Sequence, residues 1–197
     1  MTNELAKNDL AGLVLCGGKS TRMGFDKSLL QYHAAPQLYH LHHLLLPFCS
    51  HVWISCNQVQ AQNIDAGINY IVDDDKFNDI GPMKALLTAF EKFPNNNFLV
   101  VGCDYPFINA TDIEHLISNR KREHFASTFY NSTHDLYEPM IGIYENEISK
   151  ILLDQWDKKK YSLQQTLKLI NATKVLPLHN NAVRSVDSFE EYTGLSS

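Results

Sequence analysis

The segment Leu13-Val14-Leu15-Cys16-Gly17-Gly18-Lys19-Ser20-Thr21-Arg22-Met23-Gly24-Phe25-Asp26-Lys27 decides the fold of this chain. It begins with a short apolar run bounded by turn residues, which is typical of a buried strand. Gly17 and Gly18 then let the backbone turn sharply and approach a ligand without interference from a Cβ atom. Backbone N–H groups, together with the cations Lys19, Arg22 and Lys27, match the spread negative charge of a polyphosphate. The segment therefore predicts a strand followed by a phosphate-binding loop.

Two common phosphate loops are excluded by spacing. A Walker A loop that ends at Gly18-Lys19-Ser20 needs glycine at position 13, where this chain has Leu13. A Rossmann G-x-G-x-x-G loop is excluded because Gly17 and Gly18 are adjacent and the next glycine is Gly24. The alternative interpretation is an ordinary glycine-rich turn with solvated basic residues. It does not explain why so many glycines and cations lie together.

Composition limits the class of protein. The chain has 197 residues, of which 44% are hydrophobic and 20% are charged, as in a globular domain with a sizeable core. The net charge of −5 gives no electrostatic basis for nucleic acid as a partner. Cations that bind phosphate must therefore be concentrated locally, as they are around Arg22.

Nothing in the sequence indicates export or a membrane. The polar stretch Met1–Asp9 lacks the apolar core of a signal peptide, and no apolar run approaches the length of a membrane span. The four cysteines form no C-x-x-C pair, and most of them lie in or beside apolar runs. We therefore expect a cytoplasmic protein with reduced thiols at Cys16, Cys49, Cys56 and Cys103.

The first part of the chain alternates strands and helices. Strands are predicted in the run from Leu13 and at Val52–Cys56, Tyr70–Val72 and Phe98–Val101. Helices are predicted at Gln37–Phe48, from Gly81-Pro82 through Phe93, and from about Asp112 to Arg120 with Thr111 or Asp112 as the N-cap. Four strand–helix repeats predict a doubly wound, mostly parallel α/β sheet.

The remainder of the chain follows a different pattern. Two antiparallel strands are predicted at Ala126–Tyr130 and Leu136–Tyr144, and a short strand at Lys174–Leu176. Helices are predicted at Glu147–Trp156 and Ser162–Ile170, with a last short helix at Ser188–Tyr192 capped by Ser188. No linker or repeat divides residues 1–197. We expect one domain, with a ligand half at about 10–120 and a small antiparallel subregion from about 121 to 197.

Polar residues follow the predicted strands. Lys27, Asn57, Asp74 and Asp104 all lie just past strand ends, and ligands of such sheets bind outside the carboxyl ends of the strands. Asp104 follows a buried strand, where an unpaired carboxylate is costly. It is interpreted as a Mg²⁺ ligand, with a turn cap as the alternative.

His40 and His43 share a face of the first predicted helix and are compatible with a metal site. No carboxylate or cysteine accompanies them. Solvated or capping histidines are therefore the favoured interpretation.

The opening segment resembles the nucleotidyltransferase signature L-x-G-G-x-S-x-R-M-G-x-D-K, in the form found in the MobA-like molybdenum cofactor guanylyltransferases. Further similarity is seen at Cys103-Asp104-Tyr105-Pro106-Phe107, at Glu138–Tyr144 and at Tyr161-Ser162-Leu163. The resemblance thus covers most of the chain.

The resemblance implies roles for individual residues. Leu15, Cys16 and Gly17 match backbone contacts to the base, Gly18 belongs to the same phosphate loop, and Asn57 matches a nucleotide contact. Lys27 matches a lysine that contacts the nucleotide, and Asp104 matches an aspartate that binds Mg²⁺ and nucleotide. An aspartate stands seven residues before the family's Gly-Pro turn, and counting back from Gly81 gives Asp74, with Asp79 as the competing choice.

The chain departs from the family pattern at three places. Cys16 replaces a usual alanine, and Ala85 replaces the second glycine of G-P-L-x-G. The closing N-x-N-T-P-E-D-L is replaced by the segment Arg184–Tyr192. Ala85 would narrow the gap if a phosphate or pterin must approach that backbone closely, and Arg184–Tyr192 lacks the asparagines of the family pattern.

The activity implied is transfer of GMP from GTP to the phosphate of molybdopterin, with release of pyrophosphate. Arg22 and Lys27 would clamp phosphates, Asp104 would hold Mg²⁺, and the ionised acceptor would need no general base. Proteins that deliver or receive the cofactor are implied by the family alone. The rivals are a cytidylyltransferase on the same cofactor, a sugar-1-phosphate nucleotidyltransferase, and a non-catalytic nucleotide-binding module.

Overall fold

The apolar runs of the sequence form a single seven-stranded sheet in the computed structural model, which describes residues 9–16 and 26–195. The strands in chain order are β1 (Leu10–Leu15), β2 (His51–Cys56), β3 (Tyr70–Val72), β4 (Asn97–Gly102), β5 (Ala126–Asn131), β6 (Leu136–Tyr144) and β7 (Thr173–Val175). Their order across the sheet is β3-β2-β1-β4-β6-β5-β7.

The sheet is mostly parallel, as the sequence predicts. β1 pairs in parallel with β2 and β4, β2 with β3, and β5 with β7. Only β6 runs the other way, antiparallel to both β4 and β5. All six residues of β1 are buried, because its position between two other strands and two helical layers hides both of its faces.

Helices cover both faces of the sheet. They are α1 (Gln37–Leu45), α2 (Gln58–Ala61), α3 (Met83–Lys92), α4 (Ala110–Ser118), α5 (Ile148–Asp157), α6 (Leu163–Leu169) and α7 (Phe189–Gly194). Buried residues of α3, α5 and α6 share one core cluster with one face of the sheet. Buried residues of α1 and α4 form a second cluster on the other face. The predicted doubly wound α/β fold is confirmed, and β5–β7 extend the same sheet.

Several boundaries differ from those predicted. β1 begins at Leu10 rather than Leu13, because Leu10 pairs with Asn97 of β4. α1 ends at Leu45 rather than Phe48, with Pro47 in the turn that follows. The predicted N-cap of α4 was wrong: Asn109 caps it, because its side chain accepts hydrogen bonds from the N–H groups of Thr111 and Asp112. The one-turn helix α2 was not predicted from the sequence.

The connectivity places the ends of five neighbouring strands at one edge of the sheet. The carboxyl ends of β1, β2, β3 and β4 lie side by side there, and the first residues of the reversed β6 join them. Residues that follow these strands therefore meet at one cleft, which we call the carboxyl edge.

Candidate functional site

Asp104 lies at the centre of the carboxyl edge, two residues after β4. Burial raises the pKa of its carboxyl to about 6, although a hydrogen bond from its own backbone lowers it. Asp187 raises the same pKa and Lys27 lowers it. Oδ1 of Asp104 is buried with no hydrogen-bond partner among the described residues. An orphaned carboxylate oxygen at this depth costs free energy unless a ligand satisfies it.

Gly102 makes room for that carboxylate. A Cβ atom at this last residue of β4 would lie 2.5 Å from Oδ1 of Asp104 and 2.6 Å from Cε of Met140. Real Cβ contacts are never that short. The position of Asp104 over the strand end thus depends on the absence of a side chain at residue 102.

Lys27 reaches the same place from the other side of the cleft. It begins a 3₁₀ turn, Lys27–Leu29. Asp26 caps this turn, because its side chain accepts a hydrogen bond from the N–H of Ser28. Nζ of Lys27 lies 3.2 Å from Oδ1 of Asp187 and 3.4 Å from the carbonyl oxygen of Val186. Because Lys27 also lowers the pKa of Asp104, the structure brings together two of the residues predicted from the sequence.

A closing segment, residues 184–192, forms the wall behind these two residues. The N–H of Val186 donates to the carbonyl oxygen of Asp104 at 2.8 Å, and Val186 is buried. Ser188 caps α7, as predicted, in a reciprocal capping box with Glu191. The segment fixes the carboxylate of Asp187 beside Lys27.

Asn57 follows β2 but its side-chain oxygen is engaged locally. It accepts from the N–H groups of Val59 and Gln60, which makes it the N-cap of α2. Gln60 in turn donates through Nε2 to the carbonyl oxygen of Cys16 at 3.1 Å and to Oδ2 of Asp26 at 2.8 Å. Asn57 therefore supports Gln60, which bonds to both Cys16 and Asp26.

The two aspartates after β3 have different environments. Asp74 caps the 3₁₀ turn Asp75–Phe77 by accepting from the N–H of Lys76, and Nζ of Lys76 lies 3.7 Å from its Oδ2. Asp73 is buried and accepts from Oγ of Ser55 at 2.5 Å. Burial raises the pKa of Asp73 to about 6, although the bond from Ser55 and the charge of Lys84 lower it.

The side of the cleft formed by β6 carries another carboxylate. Oε2 of Glu138 accepts from the hydroxyl of Tyr105 at 3.0 Å, and burial raises the pKa of Glu138. Glu138 also raises the pKa of Asp104. Asp104 thus lies near two further carboxylates, Asp187 and Glu138, and near the ammonium of Lys27.

The remaining sequence predictions have mixed outcomes. Leu15 is buried at the end of β1, and the N–H of Cys16 donates to the carbonyl oxygen of Ser55 at 3.0 Å. Gly17, Gly18 and Arg22 lie outside the described residues.

Residues 9–16 and 26–195 contain no cluster of three or more His, Cys, Asp or Glu side chains that could hold a metal ion by itself. His40 therefore belongs to no such cluster, and its ring stacks on that of His33. The orphaned oxygen of Asp104 nevertheless fits Mg²⁺, which takes one or two carboxylates and completes its shell with water and substrate phosphates.

Comparison with known proteins identifies the family. A family model described as the MobA-like NTP transferase domain matches residues 12–173. The chain belongs to the MobA-like NTP transferase family. The match includes Lys27 and Asp104 and ends before the closing segment.

Relatives of this MobA-like chain share about a quarter of its residues. The molybdenum cofactor biosynthesis bifunctional protein of Synechocystis sp. is 28% identical over 189 residues, which cover 96% of this chain and 54% of that protein. The chain thus spans about half the length of that relative. The molybdenum cofactor guanylyltransferase of Pseudomonas entomophila is 27% identical over 156 residues, which cover 79% of this chain and 80% of that protein.

A solved structure shares the fold. Molybdopterin-guanine dinucleotide biosynthesis protein A from Archaeoglobus fulgidus superposes with a TM-score of 0.77 at 17% identity, covering 94% of this chain and 96% of that one. No helix within residues 9–16 and 26–195 is long and apolar enough to span a membrane.

Sequence reasoning missed three carboxylates at the cleft. Asp187 was noted only as part of a departure from the family pattern, and Asp73 was passed over in favour of Asp74. Glu138 lies in a segment noted only for its resemblance. The position of Asp73 directly after Val72 could have indicated a buried side chain, because the alternation of side chains along a strand continues to the first residue past it.

Proposed function

We propose that the protein transfers GMP from GTP to the phosphate of molybdopterin, with release of pyrophosphate. The observation that carries this proposal is the convergence of Lys27 and Asp104 at the carboxyl edge of a MobA-like NTP transferase fold. The printed activity of the Pseudomonas relative supports the choice of guanylyl transfer and of the molybdenum cofactor.

The described residues suit an in-line displacement at the α-phosphorus. Lys27 is three-quarters buried, so its ammonium is partly shielded from water and its attraction to phosphate oxygens is stronger than at an open surface. Arg22 of the predicted phosphate loop is proposed as the second cation. Together they hold the triphosphate while charge shifts to the leaving pyrophosphate.

Asp104 is proposed to hold Mg²⁺, since its raised pKa and its orphaned oxygen show a carboxyl that lacks a compensating cation. When bound, the ion supplies Lewis-acid stabilisation of charge on the transferring and leaving oxygens. The acceptor phosphate is already ionised at neutral pH, so no side chain has to remove a proton from it.

The deciding experiment has two stages. Thermal shift of the purified protein with GTP, CTP and UTP, each with and without Mg²⁺, first identifies the nucleotide, because a ligand that binds only the native state raises stability. Pyrophosphate release is then measured with the preferred nucleotide, with and without molybdopterin. We expect a shift with GTP and Mg²⁺ and release that requires both substrates.

Variants test the roles of the two residues. Asp104→Asn and Lys27→Ala should each lower the rate of pyrophosphate release by at least about 10²-fold, since each removes a charge that acts on the transition state. Matched controls are Glu123→Gln and Lys92→Ala, at exposed positions shortly before the amino ends of β5 and β4, opposite the cleft. Near-normal rates for the first pair refute the assignment, and a preference for CTP replaces guanylyl by cytidylyl transfer. A nucleotide-induced shift without pyrophosphate release in the presence of acceptor supports the non-catalytic nucleotide-binding module instead.

A further inference from the structure

Two thiols meet beside the proposed active site. Cys16 follows β1 and Cys103 follows β4, and these strands are parallel neighbours in which Leu15 lies opposite Gly102. The N–H of Cys103 donates to the carbonyl oxygen of Leu15 at 3.0 Å, which fixes the two backbones in register. The Sγ atoms of Cys16 and Cys103 are 3.1 Å apart.

We propose that Cys16 and Cys103 form a reversible intramolecular disulfide that closes the nucleotide cleft. A disulfide has an S–S bond of about 2.05 Å, so the sulfurs must approach by roughly 1 Å. Both cysteines lie past the last residues of their strands, where the backbone is less constrained than inside the sheet. Cys16 and Cys103 are both reduced in the structure, so the pair is available for oxidation.

The reaction balances with a peroxide as oxidant. One thiolate attacks a peroxide oxygen, the O–O bond breaks, and a sulfenic acid and an alcohol or water form. The second thiol then attacks the sulfenic sulfur, which forms the S–S bond and releases water. A low-molecular-weight disulfide does the same by two exchange steps and leaves as two thiols. Dithiol reductants reverse the bond.

The surroundings select Cys103 as the partner of Cys16. Cys56 is the third thiol near the edge, but its Sγ points to the carbonyl oxygen of Ile71 at 3.6 Å. A cavity of about 20 Å³ lined by Cys16 and Cys56 is large enough for one water molecule. Burial raises the pKa of Cys16, so we expect slow oxidation that needs an added oxidant rather than air.

The bond would act on both sides of the cleft. Cys16 leads directly into the predicted phosphate loop, and its carbonyl oxygen is held by Gln60. Cys103 precedes Asp104, whose Oδ1 occupies the space that a Cβ atom at Gly102 would fill, directly over the strand end. The effect on nucleotide rests on the proposed function. We expect the disulfide to weaken GTP binding about tenfold, since a displacement of 1 Å in such a site can cost up to about 10²-fold in rate.

The first experiment maps the bond. Purified protein is treated with hydrogen peroxide, the remaining thiols are alkylated, and peptides are analysed by mass spectrometry without reduction. We expect a peptide pair that joins Cys16 to Cys103 and loses the mass of two hydrogens. Cys103→Ser should abolish it, whereas Cys49→Ser and Cys56→Ser should retain it. A bond to another cysteine, or only sulfinic acid at Cys16, overturns the proposal.

The second experiment measures the consequence. GTP affinity is compared for reduced, oxidised and re-reduced protein, with oxidised Cys103→Ser as the control for other peroxide damage. We expect loss on oxidation and recovery on reduction in the parent protein, and no change in Cys103→Ser. An oxidised protein that binds GTP as tightly as the reduced one overturns the closing effect. If the reduced protein binds no nucleotide, the proposed function fails, while the peptide map still decides whether the disulfide forms.

Discussion

Charged residues are paired differently at the carboxyl edge of the sheet and at the opposite edge, where the parallel strands begin, which we call the amino edge. At the amino edge, Arg120 is almost fully buried and donates to both oxygens of Glu145 at 2.7 and 2.5 Å and to Asp9 at 2.6 Å. The side chain of Asn97 donates a hydrogen bond to Asp9 and accepts another from the N–H of Asn146. Each of these buried charges is paired and hydrogen-bonded.

At the carboxyl edge, by contrast, the carboxyls outnumber the cations among the described residues. Asp73 and Asp104 have pKa values raised by burial to about 6, and the pKa of Glu138 is also raised by burial. An arrangement of this kind opposes folding, since an incompletely paired buried charge is costly. The difference indicates that the amino edge stabilises the fold and that the carboxyl edge is arranged for a ligand that brings positive charge.

The largest expected effect is on the amino edge. Arg120→Ala leaves the carboxylate of Glu145 buried without its partner, so the free energy of unfolding should fall by about 3–5 kcal/mol in urea denaturation. Arg122 also contacts Asp9, at 3.0 Å, but its side chain is 60% exposed, and Arg122→Ala should cost less than about 1 kcal/mol. Equal losses for the two variants would contradict the contrast between buried and exposed pairs.

The second prediction concerns pH and the carboxyl edge. Because the pKa of Asp104 is raised from 3.8 to about 6, the folded protein holds this proton after the unfolded chain has lost it. Its contribution is therefore present below pH 4 and is lost as the pH rises through about 6, by about 3 kcal/mol in total. Asp104→Asn removes this slope, so the difference in stability between variant and parent should shift in favour of the variant across that range. A difference that does not change with pH would show that the carboxyl titrates normally.

The third prediction uses Gly102. In Gly102→Ala the new Cβ displaces Asp104 or Met140, because both lie within 2.6 Å of its ideal position. We expect the rate of pyrophosphate release to fall about tenfold, since misplacement of a positioned group is costly in catalysis. Gly67→Ala is not a useful comparison, because Gly67 has a positive φ, whereas Gly194→Ala meets nothing within 4 Å and serves as the control. Unchanged activity in Gly102→Ala would mean that the position of Asp104 is not critical.

The smallest effect is expected at the Lys27–Asp187 pair. The Asp187 side chain is 69% exposed, so Asp187→Asn should change the free energy of unfolding by less than about 1 kcal/mol. The same change frees Lys27 and removes a negative charge near Asp104, so inorganic pyrophosphate should bind about two- to fivefold more tightly by calorimetry. Ser185→Ala, which removes a hydroxyl that donates to Asp187, is the uncharged control. Weaker pyrophosphate binding would show that Asp187 positions Lys27 rather than competing for it.

The sequence predicted the sheet well because its central strands are buried on both faces and therefore appear as uniform apolar runs such as Phe98–Val101. Helix caps were predicted where the side chain and its partner are neighbours, as at Ser188. They failed at Asn109, where Thr111 and Asp112 were equally good candidates by residue type. Local chemistry alone does not decide among adjacent capping residues.

The site was predicted only in part, because its contacts are distant in sequence. Lys27 and Asp104 were found from strand ends, but the contact of Lys27 with Asp187 spans 160 positions and depends on where the closing segment crosses the sheet. Similarly, the order of two adjacent aspartates does not show that Asp73 turns inward to Ser55 while Asp74 caps a turn. The pairing of Cys16 with Cys103 requires knowing that β1 and β4 are neighbours.

The closing segment also has a consequence for biosynthesis. Val186 and Asp187 complete the wall around Lys27 and Asp104, although those two residues are synthesised far earlier. Domains generally form as the chain emerges during synthesis. Because a domain generally folds as a unit, the cleft becomes complete only after residue 187 has left the exit tunnel. Translation thus delays the assembly of the cleft until the rest of the sheet is available to surround it.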